Sequence, residues 1–238
     1  MFTLKHFIWI GICIILIVIM LILAKKLRFS LKTASLIMSI ICIVSEVSKM
    51  MSDMMDNVDG GMSLDPKSLP FHLCSLMIFV VFYIYLAKDS PLKQTLINFL
   101  AVVGSIGSFC AIMIPTNGVR FDEIGPYQCF VFHGGLMWFS IYLLMFKHAK
   151  LDFKAYIKNL SILIFLAFMM IYINGALSAY GTNFFYVVRP PMDDLPILNL
   201  DHGWHVYFIT LLLLGFILMT LFHLPFIIKS KKKSEEDK

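Results

Sequence analysis

Seven apolar runs divide the chain, at about 7–24, 31–50, 70–87, 94–114, 129–147, 156–176 and 204–228. Each is close to the ~17–25 residues that an α-helix needs to cross a bilayer at 1.5 Å per residue. A backbone in lipid has to satisfy its own N–H and C=O groups, so runs of this length predict helices. The pattern therefore predicts an all-α integral membrane protein, a single bundle of about seven transmembrane helices over residues 1–228 with a charged tail at 229–238. The first run resembles a secretory leader in position only. It is long for such a core, lacks an Ala-x-Ala-like exit and is followed by Lys25-Lys26-Leu27-Arg28, so it reads as a retained helix.

The polar segments between the runs set the orientation. Fifteen of the twenty lysines and arginines follow the first, third, fifth and seventh runs, among them Lys25, Lys88, Lys147 and Lys229. By the positive-inside rule the N-terminus is expected outside and the C-terminus in the cytoplasm. Asp53, Asp56, Asp59, Asp65, Asp122, Glu123, Asp193, Asp194 and Asp201 then fall in outer connections, and three of these, at 51–69, 115–128 and 177–203, are long. Long connections in compact proteins are commonly functional, which places the expected function on the outer face. The stretch 179–191, aromatic and closed by Pro190-Pro191, is expected to fold back at the interface.

Composition sharpens this reading without changing it. The chain is 59% hydrophobic with a mean hydropathy of +0.84, beyond the range of soluble domains. Its net charge of +5 comes from lysines flanking apolar runs, with no interleaved aromatic and basic surface, so no nucleic-acid partner is expected. The five cysteines are odd in number and show no zinc-type spacing, which argues against a complete disulfide framework. The run Gly104-Ser105-x-Gly107-Ser108 reads as close helix packing rather than a phosphate loop, because no strand precedes it and no lysine follows.

With the orientation set, each intramembrane polar residue acquires a depth. Glu46, His72, Cys74, Asn117, His133, Asn174, Trp204 and His205 all fall in the outer slab, whereas the inner halves are dominated by Ile, Leu, Val, Phe and Met. Polar groups are costly in lipid, so their segregation suggests a shared outward-opening cavity. His133 is the deepest of these histidines and precedes Gly134-Gly135, a pair that lets another helix approach closely. His72 follows Pro70 by two residues and suits a first helical turn. In a regular helix it would stand about 200° from Cys74, so those two would not share a face. Cys129 and His133 are four apart and do share one. Cys129 is therefore a rival thiol to Cys74, with a Cys/His metal site as a weaker reading. Glu46 can pair with Lys49 or orient a histidine.

The stretch Leu69-Pro70-Phe71-His72-Leu73-Cys74-Ser75-Leu76, with Phe132-His133-Gly134, Asn174, Gly181-Thr182-Asn183-Phe184, Arg189-Pro190 and Trp204, resembles the YwaF-like family of bacterial membrane proteins. That family looks related to the animal transmembrane protein 164 acyltransferases, which use a cysteine nucleophile and a histidine. The resemblance implies an acyl-transfer or acyl-hydrolysing site, with His133 in the place of the histidine. In the animal pattern the cysteine directly follows a proline and precedes a histidine. Here Phe71 stands in that position before His72, leaving Cys74 as the thiol of the stretch.

The expected function is thus a multi-pass plasma-membrane acyltransferase or acyl hydrolase of bacterial type, acting on a lipid. His133 would be general base for Cys74, while His72, Asn174 and Asn183, with Asn117, His205 and Trp204 around them, would bind or orient the substrate. The alternative is a solute-binding or transport protein using the same cluster as a substrate or proton site. Membrane lipids are the expected partner, no cofactor or metal is expected, and the sequence carries no signature of an oligomeric state.

Overall fold

Short polar residues cap the starts of several helices. In the computed structural model, which describes residues 2–55, 65–192, 195 and 197–236, seven apolar helices are found among the described residues. They are α1 (Leu4–Lys26), α2 (Leu31–Met55), α3 (Leu73–Leu86), α4 (Pro91–Met113), α5 (Ile124–Met145), α6 (Phe153–Ala176) and α7 (Trp204–Glu236). Six are long and apolar enough to cross a membrane, and α3 is a shorter apolar helix of 14 residues. No strand occurs among the described residues. Asp56, Asp59, Asp193 and Asp194 lie outside the described residues.

Thr3 caps α1, its hydroxyl accepting from the His6 N–H at 3.4 Å, and Lys25 and Lys26 in the last turn oppose the helix dipole. Ser90 caps α4 by accepting from Lys93 N–H at 3.1 Å, and Pro91 follows where its missing N–H costs nothing. Asp152 does the same for α6, accepting from Ala155 N–H at 2.7 Å. The seventh helix runs on through the lysines beyond residue 228 to Glu236.

The chain forms two compact units, Met1–His148 and Ala149–Lys238. In the first, α5 is the central helix, touching α1, α2 and α4, while α3 packs on α2 and α4. Glycines allow α5 to sit so deep. A Cβ on Gly135 would lie 3.1 Å from the Ile41 side chain of α2, and one on Gly134 would lie 3.5 Å from Cys13 Sγ of α1. Trp9 of α1 stacks on Phe130 of α5, with ring centroids 4.8 Å apart. Its Nε1–H donates to Val119 O at 3.2 Å, and buried His6 contacts Ile112 O through Nε2 at 2.8 Å.

Halfway along α4, residues Leu100–Gly104 form a wholly buried π-helical turn. Such a turn frees carbonyls from the regular ladder, and serines collect them. Ser105 Oγ donates to Ala101 O at 2.7 Å, and Ser140 Oγ of α5 donates to Leu100 O at 3.2 Å. Gly104 is the residue that permits this, because a Cβ there would collide with Ser140 Oγ. At the lysine-rich end, Tyr142 OH donates to Phe29 O at 2.9 Å and meets His148 Nε2 at 3.1 Å. The Gln94 amide adds His148 O and Asn98 Oδ1, each at 3.0 Å, so the connections after α1 and α5 are tied to α4.

In the second unit, α6 and α7 pack antiparallel, as the pairs Phe168–Phe208 and Tyr156–His223 show. Outward-facing Phe165, Tyr172, Ile209, Leu213 and Leu221 are exposed, as are Ile8, Ile15 and Ile22 of α1. Apolar faces of this extent are incompatible with water and suit contact with lipid chains.

Candidate functional site

His133 lies in the third turn of α5, and its ring is oriented by its own helix. Nδ1 is 2.7 Å from the Cys129 carbonyl oxygen. A carbonyl can only accept, so Nδ1 carries the proton and Nε2 presents its lone pair. Cys129 Sγ, 3.5 Å from the same nitrogen, faces an N–H and can only accept from it. Among the described residues Nε2 has no hydrogen-bond partner, and the Phe132 ring stands edge-on beside the imidazole at 5.1 Å. His133 is partly exposed, while Cys129 is buried. Gly134 and Gly135 serve the contacts of α5 with α1 and α2, whereas the Nδ1 bond of His133 stays within α5.

Cys74 stands in the first turn of α3, with Sγ 3.0 Å from where a Cβ on Gly107 of α4 would be. It is half-buried and lies within electrostatic reach of both Cys129 and Cys110, so the thiol belongs to the neighbourhood of α4 and α5 that holds His133. No hydrogen bond joins Cys74 to His133 among the described residues. All five cysteines are free thiols. His72 does not begin the helix as the sequence reading expects. It is the N-cap, with extended backbone (φ −68°, ψ 151°), its carbonyl accepting from Leu76 N–H at 2.9 Å. The angular argument that separated it from Cys74 therefore does not apply, because His72 lies before the first helical residue.

Glu46 of α2 pairs with Lys49 one turn on, at 3.6 Å, and the Lys49 ammonium also donates to Ser68 O near His72. Asn117 belongs to a short chain of amides, its Nδ2 donating to Gln128 Oε1 at 3.5 Å while Gln128 Nε2 donates to Ser45 Oγ at 2.7 Å. Outside the helices, the Arg120 guanidinium beside Asp122 holds that carboxyl down to about 2.

Asn174, Asn183, Trp204 and His205 lie in the second unit. There the first three hold the segment 181–189. Asn174 Oδ1 accepts from Phe184 N–H at 2.8 Å and its Nδ2 donates to Phe184 O at 3.0 Å. Asn183 Nδ2 donates to Arg189 O at 2.9 Å while its Oδ1 accepts from the N–H groups of Val188 and Arg189. Trp204 Nε1–H donates to Val187 O at 2.9 Å, and Tyr207 OH donates to Tyr186 O. These clamps hold Phe185 (φ 59°) and Tyr186 (φ 54°) in the left-handed region, at a cost of about 1–2 kcal/mol each. His205 packs its ring edge-on against Trp204 at 5.2 Å.

The sequence reading missed three polar centres. His6 pins α1 to α4 as described above. Gln128 bridges Asn117 and Ser45. In the second unit, buried His223 contacts Met219 O through Nδ1 at 2.8 Å and meets Asn159 Nδ2 through Nε2 at 3.2 Å, with Tyr156 OH bonded to Thr220 Oγ1 at 2.9 Å. The signal for this last centre was a histidine far inside the apolar run 204–228. Among the described residues, no group of three or more His, Cys, Asp or Glu side chains could hold a metal ion.

Helices long and apolar enough to span, with apolar outer faces and a histidine–thiol group inside the larger unit, define a multi-pass all-α membrane protein. The chain belongs to the TMEM164 family, whose model matches residues 1–223. No curated protein and no solved structure shows a significant match to it.

Proposed function

We propose that this protein is a membrane enzyme that transfers or hydrolyses a lipid acyl group, with His133 as general base and Cys74 as nucleophile. The observation that carries the reading is the Nδ1–H bond of His133 to the Cys129 carbonyl, which leaves Nε2 as a fixed, uncommitted base. Membership of the TMEM164 family supports a lipid-related role. The Leu69–Leu76 stretch supports a reading as a bacterial, YwaF-like protein, and the distribution of lysines supports a plasma membrane with the N-terminus outside and the lysine-rich end in the cytoplasm.

The Cys74 thiol gives its proton to His133 Nε2, and its sulfur forms a bond to the acyl carbonyl carbon of a lipid ester. The carbonyl oxygen takes up the electron pair, then returns it as the ester C–O bond breaks. The leaving alkoxide recovers the proton from Nε2, leaving a Cys74 thioester. An acceptor hydroxyl or water resolves the thioester by the same route. Cys129 is the weaker candidate because it meets the protonated nitrogen.

The full-length protein in lipid vesicles, treated with 4-nitrophenyl octanoate and read by mass spectrometry of each cysteine, tests this. Acylation of Cys74 that disappears in His133→Ala and persists in Cys129→Ser is expected. Acylation undiminished in His133→Ala, in a protein that still folds, contradicts the reading.

A further inference from the structure

Gly104, Ser108 and Ile112 are spaced by four on α4 and share one face. The first and last of them meet α5. Gly104 lies against Ser140 and Leu136, and Ile112 belongs to one buried cluster with Phe130, Trp9 and Cys13. Ser108, between them, therefore faces α5, level with the stretch between Phe130 and Leu136 that contains His133. On α5, His133 and Ser140 are seven apart, two turns on one face, and Ser140 donates to Leu100 O of α4. The His133 face is thus turned toward α4. Cys74 reaches the same place from α3, since its sulfur rests on Gly107, the residue before Ser108.

Ser108 is fully buried, and its hydroxyl makes no hydrogen bond among the described residues. A serine in an apolar helix ordinarily donates to a carbonyl of its own helix, as Ser35, Ser48 and Ser105 do here at 2.7 to 2.8 Å. A buried hydroxyl left unpaired costs stability, which points to a partner that arrives with the ligand.

We infer that the Ser108 hydroxyl is the donor that binds the acyl carbonyl oxygen as it becomes negative during attack by Cys74. This inference rests on the acyl-transfer reading above and adds to it the group that stabilises the oxyanion. Ser108 donates a hydrogen bond and keeps its proton throughout, so the bonds made and broken are those already given. The Gly104–Ser108 run thereby does more than allow close packing. Its glycines admit Cys74 and Ser140, and Ser108 supplies the hydroxyl.

The test compares two reactions of one thiol in the full-length protein in vesicles. Acylation of Cys74 by 4-nitrophenyl octanoate passes through an oxyanion, whereas alkylation by iodoacetamide does not. Ser108→Ala is expected to slow acylation about a hundred- to a thousand-fold and leave alkylation within about three-fold of the original rate. Ser108→Cys, nearly isosteric but a poor donor, should do the same, and Ser108→Thr should keep at least about a tenth of the acylation rate. Undiminished acylation in Ser108→Ala, or equal losses in both reactions in both Ser108→Ala and Ser108→Cys, overturns the inference alone. Absence of Cys74 acylation in the unmodified protein overturns it together with the acyl-transfer reading.

Discussion

His133 in the first unit and His223 in the second make the same local bond, from Nδ1 to the carbonyl four residues back, at 2.7 and 2.8 Å. They differ at the other nitrogen. His223 is fully buried, its Nε2 meets the Asn159 amide at 3.2 Å and its ring stands edge-on to Tyr156 at 5.3 Å. His133 is partly exposed, its Nε2 is uncommitted and a thiol adjoins its ring. A histidine with both nitrogens engaged can hold two helices together. One with a single nitrogen engaged is aimed and still able to accept a proton.

The largest expected effect separates the two directly. His133→Ala should lower Cys74 acylation by about 10²–10⁴-fold, the usual contribution of a positioned general base, while His223→Ala leaves it within about three-fold. Stability should respond in the opposite order. His223→Ala removes the contact of its Nε2 with the Asn159 amide and leaves a cavity, and is expected to cost about 1–3 kcal/mol in a denaturation titration, more than His133→Ala. Equal effects of the two variants on both measurements would erase the distinction.

A second experiment converts one histidine toward the other. Asn159→Ala frees the Nε2 of His223, so its modification by diethyl pyrocarbonate should rise several-fold, with His133 reactive in both proteins. An unchanged His223 would mean that burial, and not the amide, protects it.

The packing that carries the two histidines can be probed separately. Gly104→Ala drives a methyl into Ser140 Oγ and should destabilise the first unit by about 1–3 kcal/mol, whereas Gly175→Ala meets nothing within 4 Å and should be neutral or slightly stabilising. Thermal denaturation of both variants checks this pair.

The smallest expected effect is a pH dependence at His148, outside the membrane-spanning helices, whose imidazole burial holds below its ordinary value. The unfolded chain then binds a proton more readily, near pH 6.5, than the folded one does. Stability at this site is therefore present above that pH and declines as the pH falls through it. Replacing His148 with Gln should flatten that part of the profile.

Helix number and membrane class were legible because a 20-residue apolar run has few other fates. The division into two compact units was not, since apolar runs look alike whichever neighbours they pack against. His133 stood out by depth, and its i,i+4 relation to Cys129 correctly anticipated contact. The tautomer did not follow from that spacing, because it depends on which nitrogen meets the backbone carbonyl. That Asn174 and Asn183 hold the backbone of a strained loop was not legible, because polar atoms identified by type alone do not reveal their partners. His223 and Asn159 were missed because they meet across two helices, 64 residues apart in sequence.

The most direct test of the central claim is solid-state ¹⁵N NMR of the full-length protein in lipid, labelled at histidine and assigned by comparison with His133→Ala. The account predicts a neutral ring for His133 with the proton on Nδ1 and an unprotonated Nε2. A neutral ring with the proton on Nε2 would leave the lone pair facing Cys129, and would contradict the assignment of His133 as the base for Cys74.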